Sequence, residues 1–300
     1  MNIIVRQSFW SSIVIYIGVV LGFVNSIILF PQFLSTEQIG IVRQLISAAT
    51  LLIPITTFGV NASYVKFYPN FVDDKSQKNQ FFIYELTVIL LSYCIVFAFL
   101  NLFYEDIRGL FTEKSRILFN YFDVFLLILF CLSISTLFES FLRARYDTVV
   151  TNVVNGVSNR ILTALTLILF SLSLISFDEF INYQAVIYAF GLFILLAYDN
   201  KKDKIEINLS FDRIKYKLKE IFNFSSYAFI GSFSNIIVLN IDIIMVTSFL
   251  GLSDTGIYTT AFYIGMIIEI PRRAISQISI PFISENIKKK NFSKIEKNYK

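Results

Sequence analysis

The stretch Phe9–Phe30 reads FWSSIVIYIGVVLGFVNSIILF, 22 residues without a charged side chain. A helix rises about 1.5 Å per residue, so this run spans roughly 33 Å, enough to cross a hydrocarbon layer about 30 Å thick. No water in that layer can satisfy an exposed backbone group, so the run must be helical. It exceeds the roughly 7–15-residue core of a secretory leader and runs into Phe30-Pro31 with no small-residue cleavage pattern. It reads as a first membrane span.

Seven further runs of this kind follow. Ile41–Val65 holds Arg43 and Pro54, Phe81–Phe103 holds Glu85, and Ile117–Leu142 holds Asp123 and Glu139. Val149–Ile175 holds Arg160, Phe180–Tyr198 is uncharged, Phe222–Leu250 holds Asp242, and Ile257–Ile283 holds Glu269, Arg272 and Arg273. The composition agrees, with 55% hydrophobic residues, 16% charged residues and 33 phenylalanines in 300 residues. A soluble domain is about a quarter charged. The expected fold is therefore all-α and polytopic, with about eight transmembrane helices.

The basic residues set the orientation. With the N-terminus in the cytoplasm, nineteen Lys and Arg fall on the cytoplasmic side, three (Arg108, Lys114, Arg116) fall outside, and four lie within spans. Such a bias is the positive-inside signature. It also accounts for the net charge of +4 without any nucleic-acid partner. There is no histidine, which removes histidine-based acid–base catalysis, triads and zinc sites with histidine ligands. Cys94 and Cys131 both lie in apolar runs, so no disulfide framework is expected. The polar loops are short and hold no acidic metal site or glycine-rich phosphate loop, so no enzyme, metal or cofactor is expected.

The longest polar stretch between spans, DNKKDKIEINLSFDRIKYKLKE at 199–220, divides the chain. Residues 1–198 read as a six-helix bundle, 199–220 as an amphipathic cytoplasmic connector, and 221–300 as the first two helices of a second bundle with a basic tail. On this reading the second bundle is truncated. A weak internal repeat matches FLSTEQIGI at 33–41 to FLGLSDTGI at 249–257. Each copy is an outside turn that enters a helix through a glycine, Gly40 or Gly256, and each helix then carries a proline, Pro54 or Pro271. Repeated bundles are a common build for secondary transporters.

RQSFW at 6–10 and YIGVVLGFVNSIILFPQFLSTEQIGIVR at 16–43 resemble the start of the bacterial oligosaccharide flippases, in the multidrug/oligosaccharidyl-lipid/polysaccharide exporter superfamily. NIDIIMVTSFLGLSDTGIYTTAFYIGMIIEIPRRAISQISIPFISE at 240–285 is similar to that family's seventh and eighth helices. The resemblance covers essentially the whole chain. It implies two facing bundles that carry a polyprenyl-pyrophosphate-linked oligosaccharide across the bacterial cytoplasmic membrane by alternating access, for polysaccharide or O-antigen biosynthesis. A polysaccharide polymerase and glycosyltransferases would be its working partners. A drug or metabolite exporter of the same superfamily and an inactive truncated transporter are the alternative readings.

A charge at membrane depth is costly and marks a functional candidate. Arginine suits a phosphate because its planar fork bonds two oxygens. Arg272 and Arg273 follow Pro271, and Glu269 shares a helical face with both, either as their structural partner or beside them in a cavity. Arg160 sits mid-span after Asn152, Asn155 and Asn159. Arg43 lies near the outer end of its helix. These four arginines are the candidate substrate-binding residues. Asp242 and Glu269 are candidates for ion coupling or for charge partners, and Asp123 and Glu85 are weaker ones. Gly18 and Gly22 form a GxxxG suited to close helix packing. For the leading candidate, Arg272→Ala is expected to lower translocation of lipid-linked sugar while the chain still inserts into the membrane; unchanged translocation would remove its role.

Overall fold

The computed structural model describes residues 3–202 and 210–265 of the chain. Among them every regular element is helical. Seven helices are long and apolar enough to cross a membrane: Phe9–Phe33, Thr36–Thr57, Lys75–Leu102, Glu113–Ala144, Thr148–Ser171, Phe177–Lys201 and Lys215–Phe249. They correspond to the first seven expected spans. The eighth begins with a helix at 252–265, and its continuation lies outside the described residues.

The ends of the spans follow local chemistry. Ser35 opens the second span with a capping box: its hydroxyl accepts from Gln38 N–H at 3.2 Å, and Gln38 Oε1 accepts from Ser35 N–H at 2.9 Å. Asp74 caps the third span, accepting from Ser76 and Gln77 N–H. Those two donors hold its carboxyl below the usual range. Ser176 and Glu179 cap the sixth span reciprocally, as Ser35 and Gln38 do the second: Glu179 carboxylate accepts from Ser176 N–H and Ser176 hydroxyl accepts from Glu179 N–H.

The second span departs from the single helix expected over 41–65. It begins earlier, at Thr36, and ends at Thr57. A separate helix, Val60–Phe67, follows. Pro54 cannot donate to the helical ladder, and Phe58 and Gly59 then both turn left-handed, at φ 44° and 76°. A Cβ at Gly59 would also overlap the backbone carbonyl of Ser225 on the seventh span. The chain thus turns where no side chain fits.

That break separates two apolar cores. The outer one gathers Phe30, Leu34, Ile39, Leu45, Leu118, Phe125, Leu129, Phe180 and Leu252. The inner one gathers Val60, Tyr64, Phe67, Phe81, Phe141, Ile214 and Ile221. Polar pairs sit close to the break: Thr56 and Ser133 hydroxyls are 2.6 Å apart, and Ser63 donates to Glu85 at 2.7 Å. Glu85 is 1% exposed, so it is a buried carboxyl and not the helix-end residue that its sequence position allowed.

Two further differences involve length. The first and fifth spans each contain a six-residue π-helical segment, Val24–Leu29 and Val153–Ser158. The seventh span is 35 residues long and absorbs the end of the 199–220 connector from Lys215 onward. At the end that the basic-residue count assigns to the cytoplasm, Arg145 pairs with Asp199 at 2.9 Å, and Arg213 with Asp74 at 3.2 Å. At the opposite end Ser115 donates to Thr247 carbonyl at 2.6 Å, so the first turn of the fourth span ties down the seventh. Gly59→Ala is expected to destabilise the chain by about 1–3 kcal/mol, because a side chain at positive φ is strained even before the Ser225 overlap is counted. Thermal unfolding of the detergent-solubilised chain measures this, and an unchanged midpoint would contradict it.

Candidate functional site

The first span positions the site. Gly18 packs against the backbone of Gly156 on the fifth span, where a Cβ would fall 2.8 Å from Gly156 carbonyl oxygen. One turn later, a Cβ at Gly22 would fall 2.6 Å from Arg160 Nη1. The GxxxG therefore does two things: one glycine admits a neighbouring backbone and the other makes room for a guanidinium. Arg160 Nη1 donates to Gly18 carbonyl, and Asn25 Nδ2 donates to Arg160 carbonyl at 2.8 Å. Asn25 and Gly156 both fall inside the π-helical segments, whose local distortion is common at functional positions.

Arg43 comes from the second span. Its guanidinium carbon lies 4.8 Å from the Phe30 ring centroid and 4.2 Å from that of Tyr263, on the helix at 252–265. It bridges the end of the first span and the start of the eighth. Cation–π contact of this kind is worth about 0.5–2 kcal/mol, more when dry.

The two cations belong to one site. Arg43, Arg160, Tyr188 on the sixth span and Tyr263 lie within electrostatic reach of one another. Neither arginine has an acidic partner among the described residues. Asn159, the residue before Arg160, turns its amide to Gly191 of the sixth span, and its buried Oδ1 lacks a hydrogen-bond partner among the described residues. Four spans and the beginning of a fifth element thus converge on a cationic, aromatic and amide-bearing centre.

The other candidates are placed differently. Asp242 is exposed and accepts from Tyr258 hydroxyl at 3.2 Å, with no arginine beside it among the described residues. Asp123 is exposed in the first turn of the helix Phe122–Ala144. Glu269, Arg272 and Arg273 lie outside the described residues. No group of His, Cys, Asp or Glu suited to a metal ion occurs among the described residues.

Sequence reasoning passed over a polar seam between the second and seventh spans. Thr247 Oγ1 lies 2.8 Å from Gln44 Oε1 and 2.9 Å from Thr255 Oγ1. Ser47 donates to Asn240 at 2.9 Å. Gln44, Ser47, Thr247 and Thr255 are buried. The available signal was Gln44, Ser47 and Thr247 recurring on single helical faces, but uncharged groups did not stand out against the charged ones.

Thr247→Val is expected to cost about 0.6–1.7 kcal/mol, the range for a hydrogen bond between membrane helices. A fall in the thermal midpoint of the solubilised chain checks it, and a gain in stability would show that the seam contributes nothing.

The model of one family, described as polysaccharide biosynthesis protein, matches residues 4–287. No curated protein and no solved structure matches the chain.

Proposed function

The chain belongs to the polysaccharide biosynthesis protein family, a family of transporters, and from that premise we propose that it is a flippase for polyprenyl-pyrophosphate-linked oligosaccharide. The proposed route is alternating access across the bacterial cytoplasmic membrane, with a polymerase and glycosyltransferases as the steps before and after it.

One observation carries this reading. Arg43 and Arg160 are two like charges at membrane depth, brought together from different spans with no acidic partner among the described residues. Each such charge costs at least about 2.5–3.5 kcal/mol to insert, and their mutual repulsion adds to that. The arrangement makes sense when an anion completes it. A pyrophosphate offers enough oxygens to accept from two guanidinium forks at once. Tyr188 and Tyr263 supply aromatic faces beside the charges, and Asn159 supplies an unused amide oxygen suited to a hydroxyl. The chemistry asked of the protein is binding and release, with no bond made or broken.

In this reading Arg43 and Arg160 neutralise the phosphates, and the Asn25 and Gly18 contacts position Arg160. Arg272 and Arg273 remain candidates for the same task from the eighth span.

The test uses a host lacking its own copy of the gene, in which lipid-linked sugar should accumulate in the cytoplasmic leaflet and be relieved by the 300-residue chain. Arg43→Ala and Arg160→Ala should each lower translocation about tenfold or more, since a hydrogen bond to a charged group is worth about 1.5–3 kcal/mol. Lysine replacements should recover only part, because an ammonium lacks the bidentate fork. Full translocation by both alanine variants, at equal amounts of chain in the membrane, would sink the proposal.

A further inference from the structure

The two copies of the internal repeat meet. Gly40 of the second span packs so closely on Leu252 that a Cβ there would overlap the Leu252 carbonyl oxygen. Gly256 packs on Thr36 in the same way, with a Cβ overlapping the Thr36 carbonyl oxygen. In the repeat, Gly40 aligns with Gly256 and Thr36 aligns with Leu252. The two contacts are therefore one contact made twice with the partners exchanged. Such reciprocity is the mark of a two-fold relation. Here it relates two segments of one chain.

The junction lies at the end of the molecule that the basic-residue count assigns to the outside. Its rim is closed by the Thr36 and Ser253 hydroxyls, 2.7 Å apart. Beneath it, Leu252 is buried in the outer core, and the Gln44–Thr247–Thr255 hydroxyl and amide contacts continue the seal inward. The same pair of helices carries the contact between Arg43 and Tyr263. Arg43 lies three residues beyond Gly40, and Tyr263 lies seven residues beyond Gly256, two turns further along. Closing the glycine junction therefore lays the Tyr263 ring on the Arg43 guanidinium.

We propose that Gly40 and Gly256 form a pseudo-two-fold clasp that seals the outer end of the binding centre, and that an anion arriving at Arg43 loosens it by displacing the Tyr263 ring. This rests on the flippase reading above and gives that site its gate. A phosphate oxygen pair bonds a guanidinium more strongly than a ring face does, so the anion wins the exchange. Without the anion, Tyr263 occupies Arg43 and the clasp stays shut. An empty carrier thus keeps its outer end closed.

Disulfide trapping tests this. In a chain with Cys94→Ser and Cys131→Ser, Thr36→Cys and Ser253→Cys should form a cross-link on mild oxidation, since their side-chain oxygens already lie 2.7 Å apart. Adding Gly40→Ala or Gly256→Ala should lower the cross-linking rate at least about tenfold, the change that about 1.4 kcal/mol produces. The two losses should be alike, because the contacts are equivalent. A short-chain polyprenyl pyrophosphate should slow cross-linking, and Arg43→Gln should abolish that slowing. Failure to cross-link, or glycine variants that cross-link as fast as their parent, overturns the clasp. Slowing that persists in Arg43→Gln overturns the coupling. Because the glycine variants carry a risk of misfolding, the cysteine pair gives a second readout. Oxidation should stop translocation, and reduction should restore it. A cross-linked chain that still translocates overturns the gate while leaving the flippase reading intact. A chain that never moves lipid-linked sugar, yet cross-links and responds as described, overturns the flippase reading and leaves the clasp standing.

Discussion

A hydrocarbon interior offers no hydrogen bond, and this one constraint arranges the molecule. It makes every regular element among the described residues a helix. It also dictates what the polar side chains do, because hydroxyls and amides inside the bilayer must find one another or a free carbonyl. Many hydroxyls settle on the carbonyl three or four residues back, as Thr50, Thr87, Thr136 and Ser232 do. Those bonds are local and carry no tertiary information. The informative ones cross between spans: Thr56 to Ser133, Ser63 to Glu85, Ser47 to Asn240, and Thr247 to Gln44. Apolar contact has little orienting power where the solvent is equally apolar, so these few bonds and the glycine contacts set which faces meet.

The second span has a share in nearly all of them. Its outer end holds Gly40, Arg43, Gln44 and Ser47, and its inner end stops at a left-handed turn that no ordinary side chain tolerates well. Phe58 is not a glycine, yet it adopts φ 44°. Its ring stacks near those of Phe222 and Phe229 of the seventh span, at 5.5 Å from each, and that packing offsets the strain. The break therefore depends on the seventh span being in place. Proline, glycine and the aromatic stack together allow the second span to keep its own direction while the helix Val60–Phe67 joins the inner core. A rigid straight helix could not present Arg43 to one bundle and Gly59 to the other helix in this way.

Much of this was legible in the sequence, and the boundary has a physical basis. Span number, order and approximate limits follow from runs of about 20 apolar residues, a signal that depends on composition alone. The GxxxG at Gly18 and Gly22 was readable because close packing needs small residues at that spacing. Arg160 was readable as a membrane-depth charge. What stayed hidden depends on which faces meet. The π-helical segments at Val24–Leu29 and Val153–Ser158 have no local signature, since one extra residue per turn is a response to neighbours. Pro54 announced a disturbance but not its position four residues later. Tyr188 and Tyr263 looked like any of sixteen tyrosines, because an aromatic residue becomes a site residue only when tertiary structure places a cation beside it. Glu85 sat one turn into its apolar run, and only the approach of Ser63 from a separate helix distinguishes burial from a helix end.

The repeat shows where symmetry stops. The glycine contacts obey it, but the turns that precede them do not: Ser35 has φ −66° where the aligned Gly251 has φ 118°. Nor does the charge. The position aligned with Arg43 is Thr259, whose hydroxyl lies 2.8 Å from Thr255 carbonyl oxygen and 3.2 Å from that of Gly256. An arginine there would place a third like charge close to Arg43 and Arg160, with repulsion that falls off only slowly in a low-dielectric interior. Threonine instead satisfies itself within its own helix and leaves Arg43 as the single cation at that level among the described residues. The closing surface and the binding surface thus face different demands on the same two helices. Closure needs two edges that fit each other, and equivalent segments meet that need readily. On the proposed flippase reading, binding one anionic headgroup needs a charge on one side and a ring able to yield on the other, and the two copies diverge accordingly one turn below the glycines.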